Sequence, residues 1–501
     1  MIDRTDVTAN PANSKAQLGD KAASATRWAF ASQVAAKLIS PLTTMVLARL
    51  LTPEAFGVVA SVTMVTSFAD VFSDAGFQKY LVQHEYCCKD DLHRSASVAF
   101  WTNLTVSLGL WMLIAAFNEQ IATAVGNPGL GMVLVVAGFS ILLTALISVQ
   151  TGLFQRALDY RVLFKSKVIS SVVMLAVSVS LALLGFDYWS MVFGTISSNV
   201  FICVFLTVKS SWRPCFFFSF KELGEMFSFS GWTLLETISI WLVSWAGTFI
   251  VANTMTQNQV GLYKTATQMG TAVMGIVTSS VMPILFSSLS RLSSDRKAFD
   301  ATLYKVQACL AYVLVPMCCC LLLFRDLVIT VCLGDQWLDA SLYLGLFFFS
   351  SSIKIVLNNI CAEAYRSMGK PMYSMMVELA YLVILVPLLS LACANGWGAF
   401  SVAAQLCLTV ITLVVSHFLV GLSPRRMLKN CAPVFVAALS CSVAVFLVRT
   451  FLPKSYLFDA VLIMLYIALY LCLTYSSDKL STIYNAAVQA LRLPSKLLIA
   501  R

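Results

Sequence analysis

Trp28–Gly57, WAFASQVAAKLISPLTTMVLARLLTPEAFG, returns 204 positions later as Trp232–Gly261, WTLLETISIWLVSWAGTFIVANTMTQNQVG. In register, Trp28, Leu38, Ser40, Thr44, Ala48, Thr52 and Gly57 meet Trp232, Leu242, Ser244, Thr248, Ala252, Thr256 and Gly261. Apolar helices draw on a small alphabet, so the weight of these identities comes from their placement. Each copy opens a block of about six long apolar segments, and an internal repeat of this kind is the sequence trace of a transporter-like membrane architecture. Six spans per block is an even number, so both blocks start on the same side of the bilayer. The expected repeat is therefore parallel, with its axis along the membrane normal and a central cavity between the halves.

The composition agrees. The chain is 59% hydrophobic and 12% charged, with a mean hydropathy of +0.82, far more apolar than a soluble chain of 501 residues requires. A span needs roughly 20 apolar residues. Fourteen such stretches are expected, at about 27–51, 57–78, 96–117, 129–152, 167–186, 188–208, 230–252, 261–286, 303–324, 340–362, 372–393, 397–420, 431–451 and 456–475. The predicted fold is all-α and polytopic: two six-helix bundles in parallel repeat plus two C-terminal helices. Its expected divisions are a cytoplasmic tail (1–26), a first bundle (27–221), a second bundle (222–425), two added helices (426–475) and a cytoplasmic, interfacial tail (476–501).

The basic residues test this map. With the N-terminus inside, 27 of the 34 Lys and Arg fall in cytoplasmic tails and loops, and the outer side holds Arg49, Lys264, Arg325, Arg449 and Lys454. That is the positive-inside pattern, and it predicts a multi-pass protein of the cell inner membrane with both termini cytoplasmic. The same bias accounts for the net charge of +10. It reads as orientation and contact with anionic lipid, with no nucleic acid as partner. No charged leader with a small-residue cleavage site precedes the first span, so that span is expected to direct insertion.

The 15 cysteines fall mostly within spans, where they serve as small apolar residues. Cys87–Cys88 with His84 and His93 lacks the spacing of known zinc sites, so no metal is expected. No nucleotide-binding loop, GxGxxG or HExxH occurs, so neither a cofactor nor a catalytic residue is predicted. The outer loops are all short, which argues against a membrane polymerase or glycosyltransferase. Segment 325–339 is expected to lie flat at the outer interface with Trp337 as its anchor. Residues 478–493 carry the pattern of an interfacial helix.

A second pair of landmarks supports the repeat: Gln155-Arg156 follows the fourth span, and Tyr365-Arg366 follows the tenth. With Leu50-Leu51-Thr52-Pro53-Glu54-Ala55-Phe56-Gly57, Gly261-Leu262-Tyr263, Gly334-Asp335-Gln336-Trp337 and Met368-Gly369-Lys370-Pro371, they form an ordered set. Over about residues 25–425 this set resembles the Wzx-type lipid-linked oligosaccharide translocases of the multidrug/oligosaccharidyl-lipid/polysaccharide superfamily, in the exopolysaccharide branch. The second-half turn, Thr256-Gln257-Asn258-Gln259, departs from the pattern in lacking the proline found at Pro53. The resemblance implies two bundles around a cavity lined by the first and seventh spans. It implies a polyprenyl-pyrophosphate-linked oligosaccharide as substrate, flipped from the inner to the outer leaflet for exopolysaccharide or lipopolysaccharide synthesis. Membrane lipids and other polysaccharide assembly proteins are the expected partners. A multidrug cation antiporter of the same superfamily is the alternative, and it should favour acids in the cavity.

Ionisable groups inside spans cost about 2.5–3.5 kcal/mol each on insertion scales and usually face a cavity or a partner. Lys37, on one face with Pro41 and Ala48, either neutralises a lipid pyrophosphate or pairs with an acid. Lys354 has the same two readings. Arg49 and Lys264 close the outer ends of the first and eighth spans, as phosphate ligands or as side chains snorkelling to the interface. Glu236, in the counterpart of the first span, is a cavity candidate through the repeat. Trp241 and Trp245 share a helical face, for stacking on sugar rings or for packing. Asp70 and Asp74, four apart, either carry a coupling ion or balance nearby cations. Glu378 has no evident partner in the sequence.

Overall fold

The computed structural model describes residues 38–476, apart from 75, 87, 293, 396–405 and 454, together with 24, 28, 31, 32 and 35. The described residues form helices: α1 (Leu38–Ala48), α2 (Pro53–Asp74), α3 (Phe77–Gln83), α4 (Lys89–Ala116), α5 (Asn118–Ala124), α6 (Gly131–Arg156), α7 (Tyr160–Leu183), α8 (Tyr188–Lys209) and α9 (Phe220–Thr254). They continue through α10 (Gln257–Arg291), α11 (Arg296–Leu323), α12 (Arg325–Cys332), a 3-10 turn (Asp335–Ala340) and α13 (Ser341–Ile353). A π-helical segment (Lys354–Asn359) then leads into α14 (Ile360–Ser367), α15 (Pro371–Ala394), α16 (Leu406–Val420), α17 (Pro424–Thr450) and α18 (Tyr456–Ser476). Among the described residues twelve helices are long and apolar enough to cross a membrane. The shorter apolar helices α1 and α16 fall within the first and twelfth expected spans. The chain is a multi-pass membrane protein. The expected interfacial helix at 478–493 lies outside the described residues.

The chain forms two compact units, one of residues 1–51 and 58–242, the other of 52–57 and 243–501. In the first, α2, α4, α6 and α8 share a core of Val58, Val62, Ile114, Leu134, Ile141 and Val192. Lipid tails are as apolar as these side chains, so close packing and internal hydrogen bonds must hold the helices together. Gly194 of α8 lies directly against the Ser178 hydroxyl of α7, and the Trp111 indole donates across to the Val135 carbonyl at 3.0 Å.

At one end of this unit the seven-residue α3 packs against the ends of α4 and α6. Arg156 closes it. One guanidinium nitrogen donates to the carbonyls of Leu81 (2.9 Å), Val82 (3.3 Å) and His84 (2.6 Å), groups that a helix C-terminus leaves unsatisfied. The guanidinium also sits 4.7 Å from the Tyr86 ring. Burial pushes the Tyr86 phenol up from its ordinary value, so the ring is neutral and the contact is cation–π.

In the second unit, α17 and α18 pack on α11 and so belong to its core. Tyr312 donates to Thr474 at 3.1 Å, and Tyr470 donates to the Tyr312 carbonyl at 3.1 Å. The π-helical turn misaligns backbone groups, and side chains take them up. Gln307 donates to the Val356 carbonyl at 3.3 Å, while Asn430 donates to the Gln307 side-chain oxygen at 3.3 Å and the Tyr304 carbonyl at 2.8 Å. Thr412 donates to Asn358.

Candidate functional site

The repeat meets itself within the second unit. Thr52 and Thr256, 204 apart, are equivalent N-caps. The Thr52 hydroxyl accepts from Ala55 N at 3.3 Å, with Pro53 following at the first helical position. Thr256 accepts from Gln259 N at 3.4 Å, and the Gln259 side chain accepts from Thr256 N at 3.2 Å. A capping box thus starts α10 where a proline starts α2, which is how the second turn is fixed without its proline. One turn further on, Gly57 faces the Gln257 carbonyl and Gly261 faces the Pro53 carbonyl. A Cβ on either glycine would overlap that oxygen and lie 3.1 or 3.0 Å from the other glycine's nitrogen. Only glycine lets the two backbones approach this closely.

Trp337 belongs to the same knot. It is fully buried, with its ring edge-on to Phe56 at 5.1 Å. The expectation of an interfacial anchor is therefore corrected: the indole fills the space beneath the α2 turn. Asp335–Ala340 is a 3-10 turn that delivers it there.

Of the ionisable candidates, Lys264 has the clearest setting. Its ammonium lies 3.5 Å from the centre of the Trp245 ring, a cation–π contact between α10 and α9. Tyr263, its neighbour in sequence, brings its hydroxyl against Gly247. Trp241, on the same helix, serves differently. It donates to the Ser67 hydroxyl at 3.0 Å and packs on Phe68 with ring centres 4.6 Å apart. The two indoles thus have separate partners, Trp241 in the first unit and Trp245 in the second. Arg49 is exposed at the end of α1.

Lys354 opens the π-helical segment, and its charge acts on Glu378 together with that of Arg366. The sequence separated Lys354 from Glu378 by 24 residues and gave no sign that the charge of one acts on the other. Arg366 makes its own ion pair with Glu363 at 2.9 Å. Asp70 has Thr144 within hydrogen-bonding reach, while its Oδ1 is buried without a partner. Lys37 and the side chains of Glu236 and Asp74 lie outside the described residues.

Comparison with known proteins places this geometry. Residues 46–342, more than half of the chain, match the family model described as polysaccharide biosynthesis protein. The chain is 26% identical over 326 residues to the succinoglycan biosynthesis transport protein ExoT of Rhizobium meliloti, covering 65% of this chain and 65% of that protein's own length. It is 20% identical to the lipopolysaccharide biosynthesis protein WzxC of Escherichia coli, over 72% of this chain and 71% of that protein. Among solved structures, the lipid II flippase MurJ in an inward closed conformation shares the fold. Its TM-score is 0.72 at 14% identity, over 90% of this chain and 97% of that one. The chain therefore belongs to the polysaccharide biosynthesis protein family.

Proposed function

We propose that the chain flips polyprenyl-pyrophosphate-linked oligosaccharide repeat units from the inner to the outer leaflet of the cell inner membrane by alternating access, with both termini cytoplasmic. Family membership and the names of its relatives, a succinoglycan transport protein among them, support this reading. The observation that carries it is Lys264. Among the described residues its ammonium rests on the neutral face of Trp245 with no carboxylate beside it, so its charge is left for an anionic ligand. In a low-dielectric setting that attraction is much stronger than in water, and an ammonium suits phosphate without demanding planar geometry. A pump for cationic drugs calls for the opposite sign. Lys37 is proposed to act on the same headgroup from the first span, and Arg49 at its end. Glu236 is proposed to face the substrate, and Lys354 to be held by Glu378. Asp70, with Asp74 one turn on, is the proposed coupling group.

The test is complementation of a flippase-null strain, with protein level checked by blot. Lys264→Ala is expected at normal abundance with polysaccharide export reduced at least tenfold, and Lys264→Arg with part of it retained. Full export by Lys264→Ala overturns the role, and Lys37→Ala is then the decisive variant.

A further inference from the structure

The segment joining the two repeats, residues 210–219, is non-helical yet firmly held. Cys215 N donates to the Ser97 hydroxyl at 3.3 Å, and the Trp101 indole donates to the Cys215 carbonyl at 2.9 Å. Trp212 is buried and donates to the His93 carbonyl at 3.3 Å. Phe216 and Phe218 of the segment, and Phe220 at the start of α9, nevertheless turn outward. Phe216 is 96% exposed and Phe220 82%, and Phe218 is exposed beside Phe220 with ring centres 5.1 Å apart. Phe216 is no loose side chain: its outer position is set by stacking on Trp101 at 5.1 Å. Three presented aromatics, two in a non-helical segment and one at the first residue of α9, need an occupant.

Cations surround them. Lys209, Arg213, Lys221 and Arg94 are all exposed. The Arg213 guanidinium is braced on the carbonyls of Ser210 (2.6 Å) and Trp212 (2.8 Å), and that of Arg94 lies 5.5 Å from the Phe217 ring. Glu222 is drawn inward by Ser95, which donates to it at 3.1 Å, while Glu225 stays exposed one turn along. Lys209 ends the apolar span of α8, and Trp101, on which Phe216 stacks, lies within that of α4, so the side chain stays close to the bilayer that these helices cross. Aromatic rings mixed with Lys and Arg at span ends are the chemistry of the headgroup layer.

We propose that residues 209–221 are an interfacial anchor. Phe216, Phe218 and Phe220 enter the headgroup layer of the inner leaflet, and Lys209, Arg213, Lys221 and Arg94 bind anionic phospholipid headgroups. The choice of leaflet rests on the cytoplasmic placement of this loop, while the lipid contact is independent of what is transported. The anchor fixes the connection between the repeats to the membrane surface.

The experiment places the photo-crosslinker p-benzoylphenylalanine at 216 in the full chain. The protein is reconstituted in nanodiscs of phosphatidylcholine alone or with phosphatidylglycerol, and adducts are read by mass spectrometry. Position 383, where Val383 is 74% exposed in α15, serves as a mid-span control. The expected result is a phospholipid adduct at 216, at least twofold more abundant with phosphatidylglycerol. The gain should vanish in the triple variant Lys209→Gln, Arg213→Gln, Lys221→Gln. A protein adduct, or no lipid adduct at 216 while 383 labels lipid, overturns the anchor. Lack of lipid at both positions overturns the membrane assignment beneath it. Equal yields in the two lipids overturn the role of the cations.

Discussion

Gly57 and Gly261 lie backbone against backbone, each under the carbonyl that begins the other's helix. Because Pro53 and Gln257 are themselves 204 apart, the contact maps onto itself when the two copies are exchanged. Gly57→Ala or Gly261→Ala must push the helices apart, at a cost of about 1–3 kcal/mol. Each variant is expected to melt several degrees lower in detergent and to lose most export. Gly109→Ala is the control, because nothing lies within 4 Å of a Cβ there. In mid-helix it should be neutral or gain up to about 1 kcal/mol. Equal melting of all three variants would show that the close approach is not limiting.

Trp245→Leu removes the ring face beneath Lys264, and Trp245→Phe keeps a weaker one. The contact is worth roughly 0.5–2 kcal/mol. Export is expected to fall in the order wild type, Phe, Leu at equal abundance, scored by complementation. No difference between Phe and Leu would detach the ring from the role of Lys264.

Asp70→Asn keeps the shape of the side chain but cannot ionise. If Asp70 is the coupling group, the variant inserts normally and export stops, whereas Thr144→Val keeps most of it. Ion-driven uptake in vesicles is the direct readout, and normal uptake by Asp70→Asn would remove it from the coupling step.

Arg156 and Arg366 occupy corresponding landmarks and should respond differently. Arg156→Ala strands three carbonyls at the end of α3, and hydrogen bonds to a charged group contribute roughly 1.5–3 kcal/mol each. Arg366→Ala breaks one pair with Glu363, in which the arginine is 53% and the glutamate 13% exposed, worth about 1 kcal/mol. A clear drop in melting temperature is expected for the first and little change for the second.

The repeat was legible because the identities at Thr52/Thr256 and Gly57/Gly261 fall on a cap and a helix crossing, where backbone geometry dictates the residue. The positions of the long apolar helices followed from hydropathy for a similar reason, since every span must bury its own backbone. Trp337 was misread because its surroundings come from Phe56, 281 residues earlier. No periodicity records such a neighbour. Arg156 stood out as a landmark, but its task depends on α3, a helix too short to leave a hydropathy signal. Lys354 was visible as a charge in a span. The π-helical turn it opens was not, because that turn alters the backbone register without changing composition. Trp241 and Trp245 share a face on the helical wheel, yet the chain passes from one compact unit to the other between them.

The glycine contact also constrains descent. An interface that is unchanged when its two copies swap is isologous, the form that identical subunits make in a two-fold homodimer. A six-helix half on its own would carry both members of the pair, glycine and carbonyl, and could complete the contact only with a second half. Within one chain the two copies need not be identical, and Pro53 and Gln257 differ. Gly57 and Gly261 stay bound to one another, because a side chain gained in either copy collides with the backbone of the other.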